Sequence, residues 1–290
     1  AAIRERVAKP LGVSVVEAAD GIFRLVNANM ANAVRKVSAA RGIDPRPLTL
    51  VVFGGNGPVH AGMQADELGI RRIFVPKLAP AFSALGLLLT DHVVDAMRSY
   101  ISPVGRVDLA RVNRLFGEME AAARDALATR DGRRARRLRF ERMAALCYPG
   151  QTFDMPVPLA GRTGPVTARV LADTVERFHR LHEELHTYAC RDEEPILRGL
   201  RVKAVAEEEK PALPRLPRKA AGSPRLGARK AFFRGRFVAT PVYDGARLAP
   251  GQAILGPAIV EEPFTTIVVY PGERATVDAF GNYSITRGRA

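Results

Sequence analysis

The spacing of hydrophobic residues changes several times along this chain, and each change marks an element. From Ser14 to Arg41 the apolar positions Ala18, Ile22, Leu25, Val26, Met30, Val34 and Val37 recur every three or four residues, the spacing of one buried helical face. Ser14 and Glu17 stand at capping-box separation at its start, and Gly42 follows its end. Ahead of it, residues 1–8 read as a short helix broken at Pro10-Leu-Gly. Leu48–Phe53 is a run of β-branched and other apolar residues, which predicts a buried strand, and Ile73–Val75 a second one closed by Pro76. A helix is predicted between them, from Pro58, which suits a first helical position, to Leu68, stopped by Gly69. After Phe82-Ser-Ala-Leu-Gly the helical pattern runs on through Leu87–Leu89 towards Asp95.

From Met97 onward strands and helices mix differently. A strand is predicted at 99–104, and a helix capped by Asp108 has Leu109, Val112, Leu115, Phe116 and Met119 on one face. Residues 137–141 alternate polar and apolar, the mark of a half-buried strand. A further strand at Thr152–Val157, a helix at Leu171–Tyr188 and a strand at Ile196–Val205 complete a small α+β domain. Glu207–Lys230 holds Pro211, Pro214, Pro217 and Pro224 without periodicity, and reads as a linker. Beyond it strands at Phe232–Phe237, Val242–Tyr243, Pro257–Glu261 and Thr265–Tyr270 alternate with turns at Asp244-Gly245, Pro271-Gly272 and Phe280-Gly-Asn282, an all-β module. The expected organisation is therefore 1–97, 98–206, a linker at 207–230, and 231–290, in a multidomain chain of α/β and α+β class. Glu261 and Glu262 are neighbours on a strand and point to opposite faces, so they read as rim charges rather than an acid/base pair.

Composition narrows the functional classes. The chain has 290 residues, enough for two or three domains with a sizeable core. A net charge of +14 invites a polyanionic partner. The basic residues are mostly arginine and spread along the chain, dense only near 133–142 and 210–230, and Trp is absent. A nucleic-acid-binding protein is therefore the minor reading. Cys147 and Cys190 lack metal-ligand spacing and fit inert thiols in a reducing cytoplasm. No apolar run is long enough to span a membrane, and no signal peptide stands at the start. The chain begins with Ala1 inside helical sequence, which reads as a fragment or a separately encoded half.

Two stretches carry candidate chemistry. Phe53-Gly-Gly-Asn-Gly-Pro joins a strand to a helix start, where free backbone N–H groups and the helix dipole favour a phosphate or another polarised ligand. The alternative is that the glycines only let helix and strand approach closely. His182-Glu-Glu-Leu-His186 fits the H-E-x-x-H zinc-hydrolase signature, with both histidines on one helical face and Glu183 placed to activate a water. Its alternative is a surface helix with a histidine pair, and no metal is expected there. Asp91, His92 and Asp95 read as a solvated face, and Asn27, Asn29 and Asn32 are unusually polar for their helix.

The runs Phe53-Gly-Gly-Asn-Gly-Pro-Val-His-Ala, Glu67-Leu-Gly-Ile, Phe82-Ser-Ala-Leu-Gly-Leu-Leu, Tyr148-Pro-Gly-Gln-Thr-Phe and Gly256-Pro-Ala-Ile-Val-Glu-Glu together resemble the hydantoinase A family. That family includes N-methylhydantoinases, 5-oxoprolinases and subunits of acetone- and acetophenone-type carboxylases. The resemblance implies an actin-like (ribonuclease H-like) nucleotide-binding half-domain in the first part of the chain. It places Gly54, Gly55, Asn56 and Gly57 on the adenosine side of an ATP site, and His60 belongs to the same pattern. It implies ATP with Mg²⁺, and phosphorylation of a cyclic amide for hydrolysis; the alternative is an ATP-dependent ketone carboxylase. It covers only the later part of the family chain, without the phosphate loops. The partners it implies are a hydantoinase B-like subunit and a first-half ATPase lobe, without which this chain is expected to be inactive. No residue stands out as general base or nucleophile.

Overall fold

The computed structural model describes residues 1–128, 137–161, 164–217 and 222–288. Parts of the two basic runs and of the expected linker, at 133–136 and 218–221, lie outside the described residues. In chain order, a helical turn at Arg4–Ala8 leads into α1 (Lys9–Leu11), α2 (Val15–Ala39), β1 (Thr49–Val51), α3 (Gly57–Leu68), β2 (Arg72–Val75) and α4 (Phe82–Leu89). Then come β3 (His92–Pro103), α5 (Leu109–Ala128), β4 (Arg137–Cys147), β5 (Met155–Pro158), α6 (Ala168–His186) and β6 (Ile196–Glu207). The remainder is strand apart from a 3-10 turn at Gly245–Arg247: β7 (Arg225–Phe233), β8 (Arg236–Asp244), β9 (Ala253–Leu255), β10 (Ala258–Glu262), β11 (Thr265–Val269), β12 (Glu273–Val277) and β13 (Tyr283–Arg287). The fold is mixed α/β and divides into two compact units, Ala1–Leu88 with Ala212–Ala290, and Leu89–Pro211. Among the described residues no helix is long and apolar enough to cross a membrane.

The first unit is discontinuous in sequence. β1 and β2 pair in parallel, with Leu50 opposite Ile73, and α3 makes the crossover between them. β13 then pairs antiparallel with β2, with Ile285 opposite Ile73, in a sheet ordered β1-β2-β13-β12-β9. The residues expected to form a separate module at 231–290 thus complete the sheet begun at Thr49. A short parallel pair leaves an unpaired strand edge and too little buried surface to stand alone. Ile73 and Val75 accordingly share one core with Val260, Ile267, Ala275, Val277, Tyr283 and Ile285. The other sheet of this unit runs β11-β10-β8-β7.

Two expectations here need correction. The capping box forms, with Glu17 N–H donating to Ser14 Oγ at 3.2 Å and Ser14 N–H to the Glu17 carboxylate at 2.8 Å, and contributes about 1 kcal/mol. The apolar face that follows is not buried. Only Ala18, Asn27 and Ala31 of α2 are, while Ile22, Leu25, Val26 and Val37 are exposed. β1 is also shorter and more exposed than a buried strand: Val52 is covered, but Leu48, Val51 and Phe53 are about half exposed. Hydrophobic period measures a helix's capacity to bury a face, and burial itself needs a partner surface.

The second unit is an antiparallel sheet ordered β3-β6-β4-β5. α5 packs on β6 and β3, and α6 on β5 and β4. Phe116, Met119, Leu146, Val157, Phe178 and Leu200 fill its core. The helix expected to continue towards Asp95 stops at Leu89, and His92 already opens β3. Val93 and Val94 favour a strand, and β6 offers a continuous ladder, from His92 opposite Ala206 to Ser99 opposite Gly199. Asp91 and Asp95 bond to Lys210 and Arg201, so these acids hold strands together.

Candidate functional site

After β1 the chain bends through 54–56 and enters α3 at Gly57. Gly54 has φ +91°, a backbone conformation that favours glycine, and a Cβ there would meet nothing within 4 Å. Gly57 lies where a Cβ would come 3.0 Å from Val52 Cγ1, so its lack of a side chain lets the helix start close against the strand. The turn is tied from three sides. Gly54 N–H donates to the Ala79 carbonyl at 2.7 Å, the Thr265 hydroxyl donates to the Gly55 carbonyl at 2.8 Å, and the rings of Phe53 and Phe82 meet at 5.4 Å. The Ala-Leu-Gly helix α4 itself buries no residue.

What the turn leaves open is its backbone donors. Among the described residues, the N–H groups of Gly55, Asn56 and Gly57 have no acceptor. Asn56 is the N-cap of α3, yet its side chain caps nothing; its Nδ2 lies 3.1 Å from His60 Nε2. A 12-residue helix therefore begins with uncapped donors at the positive end of its dipole, beside open space.

His60 is a supporting group in this arrangement. Its ring stacks on Phe23 of α2 with centroids 4.9 Å apart and planes at 21°. The Asn56 amide donates to Nε2, which leaves the ring proton on Nδ1, a buried atom without a partner. Burial pushes the His60 pKa below the ordinary histidine value, so the ring stays neutral. Asn27 has a similar imbalance: Nδ2 donates to the Phe23 carbonyl at 2.7 Å, and Oδ1 is buried and unpartnered. Asn29 is exposed, and Asn32 accepts from Arg35 at 2.9 Å.

Glu262 is not the rim charge its position implied. Its side chain is 3% exposed, and Lys77 Nζ donates to both carboxylate oxygens at 2.7 Å. Tyr283 donates its hydroxyl to the same carboxylate, and Lys77 reaches the Gly245 carbonyl at 3.3 Å. Burial and the carboxylate push the Tyr283 pKa far up, so the phenol keeps its proton. Donors and acceptors balance, and the cluster clasps the segment after β2 to β10 and β13. A lysine and a glutamate 185 residues apart leave no local pattern, so sequence reasoning had no signal for this pair. Glu261, by contrast, is partly exposed and pairs with Arg229 at 3.3 Å.

The histidine helix of the second unit is closed. His182 is fully buried; its Nδ1 donates to the Tyr188 carbonyl at 2.8 Å and its Nε2 accepts from the Gln151 amide at 2.9 Å. Both ring nitrogens are committed, Nδ1 through its proton and Nε2 through its lone pair, and none is left for a ligand. His179 Nδ1 bonds to the Tyr148 hydroxyl at 2.6 Å, and burial pushes the His179 pKa down. Among the described residues no three His, Cys, Asp or Glu side chains gather where they could hold a metal ion. Cys147 is buried and its thiol pKa raised by burial, while Cys190 is half-buried.

Comparison with known proteins places the chain in a family. A family model described as Hydantoinase/oxoprolinase matches residues 1–96, and one described as Hydantoinase/oxoprolinase C-terminal domain matches residues 106–284. The chain is 32% identical to caprolactamase subunit alpha of Pseudomonas jessenii, over 99% of this chain and 42% of that protein. It is 30% identical to the acetophenone carboxylase gamma subunit of Aromatoleum aromaticum, over 97% of this chain and 40% of that protein. The crystal structure of the ATP-dependent caprolactamase from Pseudomonas jessenii superposes with a TM-score of 0.74 at 33% identity, covering 99% of this chain and 42% of that one. The chain thus spans about two fifths of the length of these relatives.

Proposed function

This chain belongs to the hydantoinase/oxoprolinase family, and from that premise we propose that it forms the adenosine-side part of an ATP-dependent enzyme that hydrolyses a cyclic amide. The observation that carries the reading is the Gly54–Gly57 turn, with free N–H groups at Gly55, Asn56 and Gly57 and open space at Gly54. These fit a nucleotide, whose acceptor atoms need donors at a close-approach backbone. When bound, ATP with Mg²⁺ supplies the phosphoryl group that activates the amide.

In this reading Gly54 and Gly55 let the ligand approach the backbone, and the N–H groups of Gly55, Asn56 and Gly57 hold it. His60 is a positioning residue: neutral and stacked on Phe23, it holds the Asn56 amide in one orientation. An ATP-dependent ketone carboxylase subunit is the second reading, supported by the 30% identity to the acetophenone carboxylase gamma subunit. The slightly higher identity to caprolactamase subunit alpha favours the amide.

The missing functions belong to partners of the same family, a first-half ATPase lobe and a hydantoinase B-like subunit, in the cytoplasm. Support comes from exposed apolar side chains, among them Leu88 at 70% and Leu25 at 63% exposure. Alone, the chain is expected to turn over no ATP, and turnover is expected when the first-half lobe is added.

The test is calorimetric titration of ATP into the assembled complex with Gly55→Val. A Cβ at Gly55 meets only the Phe264 carbonyl, at 3.7 Å, so the variant is expected to fold. We expect at least about tenfold weaker binding, or roughly 1.4 kcal/mol. Unchanged affinity in a folded variant overturns the assignment.

A further inference from the structure

We propose that the apolar groove between the first turns of α2 and the β7, β8, β10 and β11 sheet is a binding site for a small organic cation, an ammonium group carried on a hydrocarbon or aromatic body. None of Gly54–Gly57 lines it, and the inference does not rest on the nucleotide reading, although Phe23 both lines the groove and stacks on His60.

The groove has a volume of about 430 Å³, within the range of small-molecule sites. Aliphatic side chains and five aromatic rings form its walls, the rings being Phe23 from α2, Phe232, Phe233 and Phe237 from β7 and β8, and Tyr270 after β11. Phe232 meets Phe237 edge to face at 5.1 Å, and Phe233 meets Tyr270 likewise at 5.5 Å. The Tyr270 hydroxyl already donates to the Val59 carbonyl at 3.2 Å. It belongs to the wall and is not a free polar contact.

Among the described residues a single charged group lines this groove, Asp20. It is half-buried, and among the described residues no cation pairs with it. An unpaired carboxylate beside aromatic rings recognises a cation by two means, the ion pair and the attraction of the ring faces for positive charge. A neutral apolar molecule uses only the walls. An anion is repelled, and a bare inorganic cation gains nothing from the aromatic rings that would offset its lost hydration. Aromatic walls and one negative charge together select the organic ammonium.

The probe is 2-phenylethylammonium, titrated into the full chain and followed by the NMR signals of the phenylalanine rings. Its neutral and anionic counterparts of similar size, 2-phenylethanol and 3-phenylpropanoate, are run beside it. We expect saturable binding of the ammonium, about tenfold tighter than the alcohol, and none of the propanoate. Asp20→Asn is expected to reduce the preference for ammonium over alcohol to within about twofold, with the alcohol unaffected. Phe237→Ala is expected to weaken both. The proposal is overturned if the ammonium shows no saturable binding or the propanoate binds as well. It is equally overturned if Asp20→Asn keeps the full preference, or if sedimentation shows a dimer that Phe237→Ala dissolves, since a second copy then fills the groove.

Discussion

The Gly54–Gly57 turn and the His182–His186 helix face opposite ways chemically. Each is a short sequence signature tied to a known ligand chemistry. In the turn, the folded chain uses one N–H and one carbonyl of Gly54 and Gly55 for its own bonds and leaves the next donors open. In the helix, the fold uses both nitrogens of His182. The difference follows from depth. Buried polar groups must find partners within the protein, so a motif that lands in a core is absorbed by folding. A motif at the rim of a sheet keeps its bonding capacity for a ligand.

Removing the closed motif should have the largest effect. His182→Ala leaves a void, an unpaired Gln151 amide and an unpaired Tyr188 carbonyl, so unfolding of the second unit should become easier by about 3 kcal/mol. Denaturant titration of the whole chain measures this; a loss under about 1 kcal/mol would mean that His182 is free for another role. A smaller effect is expected at the open motif. His60→Ala removes the Phe23 stack and the contact to Asn56, and should lower stability by about 1 kcal/mol. It should also weaken ATP binding by the assembled complex a few-fold. Equal ATP affinity with and without the ring would remove the positioning role.

Acid should act on both regions in the same direction. Burial lowers the folded-state pKa of His60 and of His179, whereas the unfolded chain takes up protons near pH 6.5. Between the unfolded and the folded values the unfolded state binds more protons, so this contribution is present above about pH 6.5 and is lost as pH falls below it. Denaturation midpoints at pH 7.5 and 5.5 check this, and His179→Phe should flatten the response of the second unit while leaving that of the first. A higher stability at the lower pH would contradict the buried, neutral state of both rings. The smallest effect expected is none at all: zinc added to tag-free protein should leave the melting temperature unchanged and bind well below one ion per chain. Stoichiometric zinc, lost in His186→Ala, would make the two regions alike and restore the hydrolase reading.

Local chemistry was legible in the residues themselves. The Ser14–Glu17 capping box, the glycine stop at Gly69, the helix start at Pro58 and most strands of the second unit follow from short-range rules, and short-range rules see only neighbours in the chain. The Gly-Gly turn was legible for the same reason, since a positive φ at Gly54 is a property of that residue and its immediate context. The strand at His92 was misread because Leu87–Leu89 favours helix locally, and the ladder to β6 comes from residues more than a hundred positions away.

Three matters were decided only by the tertiary structure. The partition of the chain was one, because β13 completes the sheet of β2 across more than two hundred residues of intervening chain, and strand pairing is blind to that distance once the edge is available. The chemical state of Glu262 was another: its neighbours Lys77 and Tyr283 come from remote segments, and only their meeting turns an apparent rim charge into a buried clasp. The third was which motif stays open. Sequence set the residues able to bind a ligand at Gly54–Gly57 and at His182–His186, but whether their donors and acceptors are consumed depends on what the fold places within hydrogen-bond reach, and that is a property of the folded chain alone.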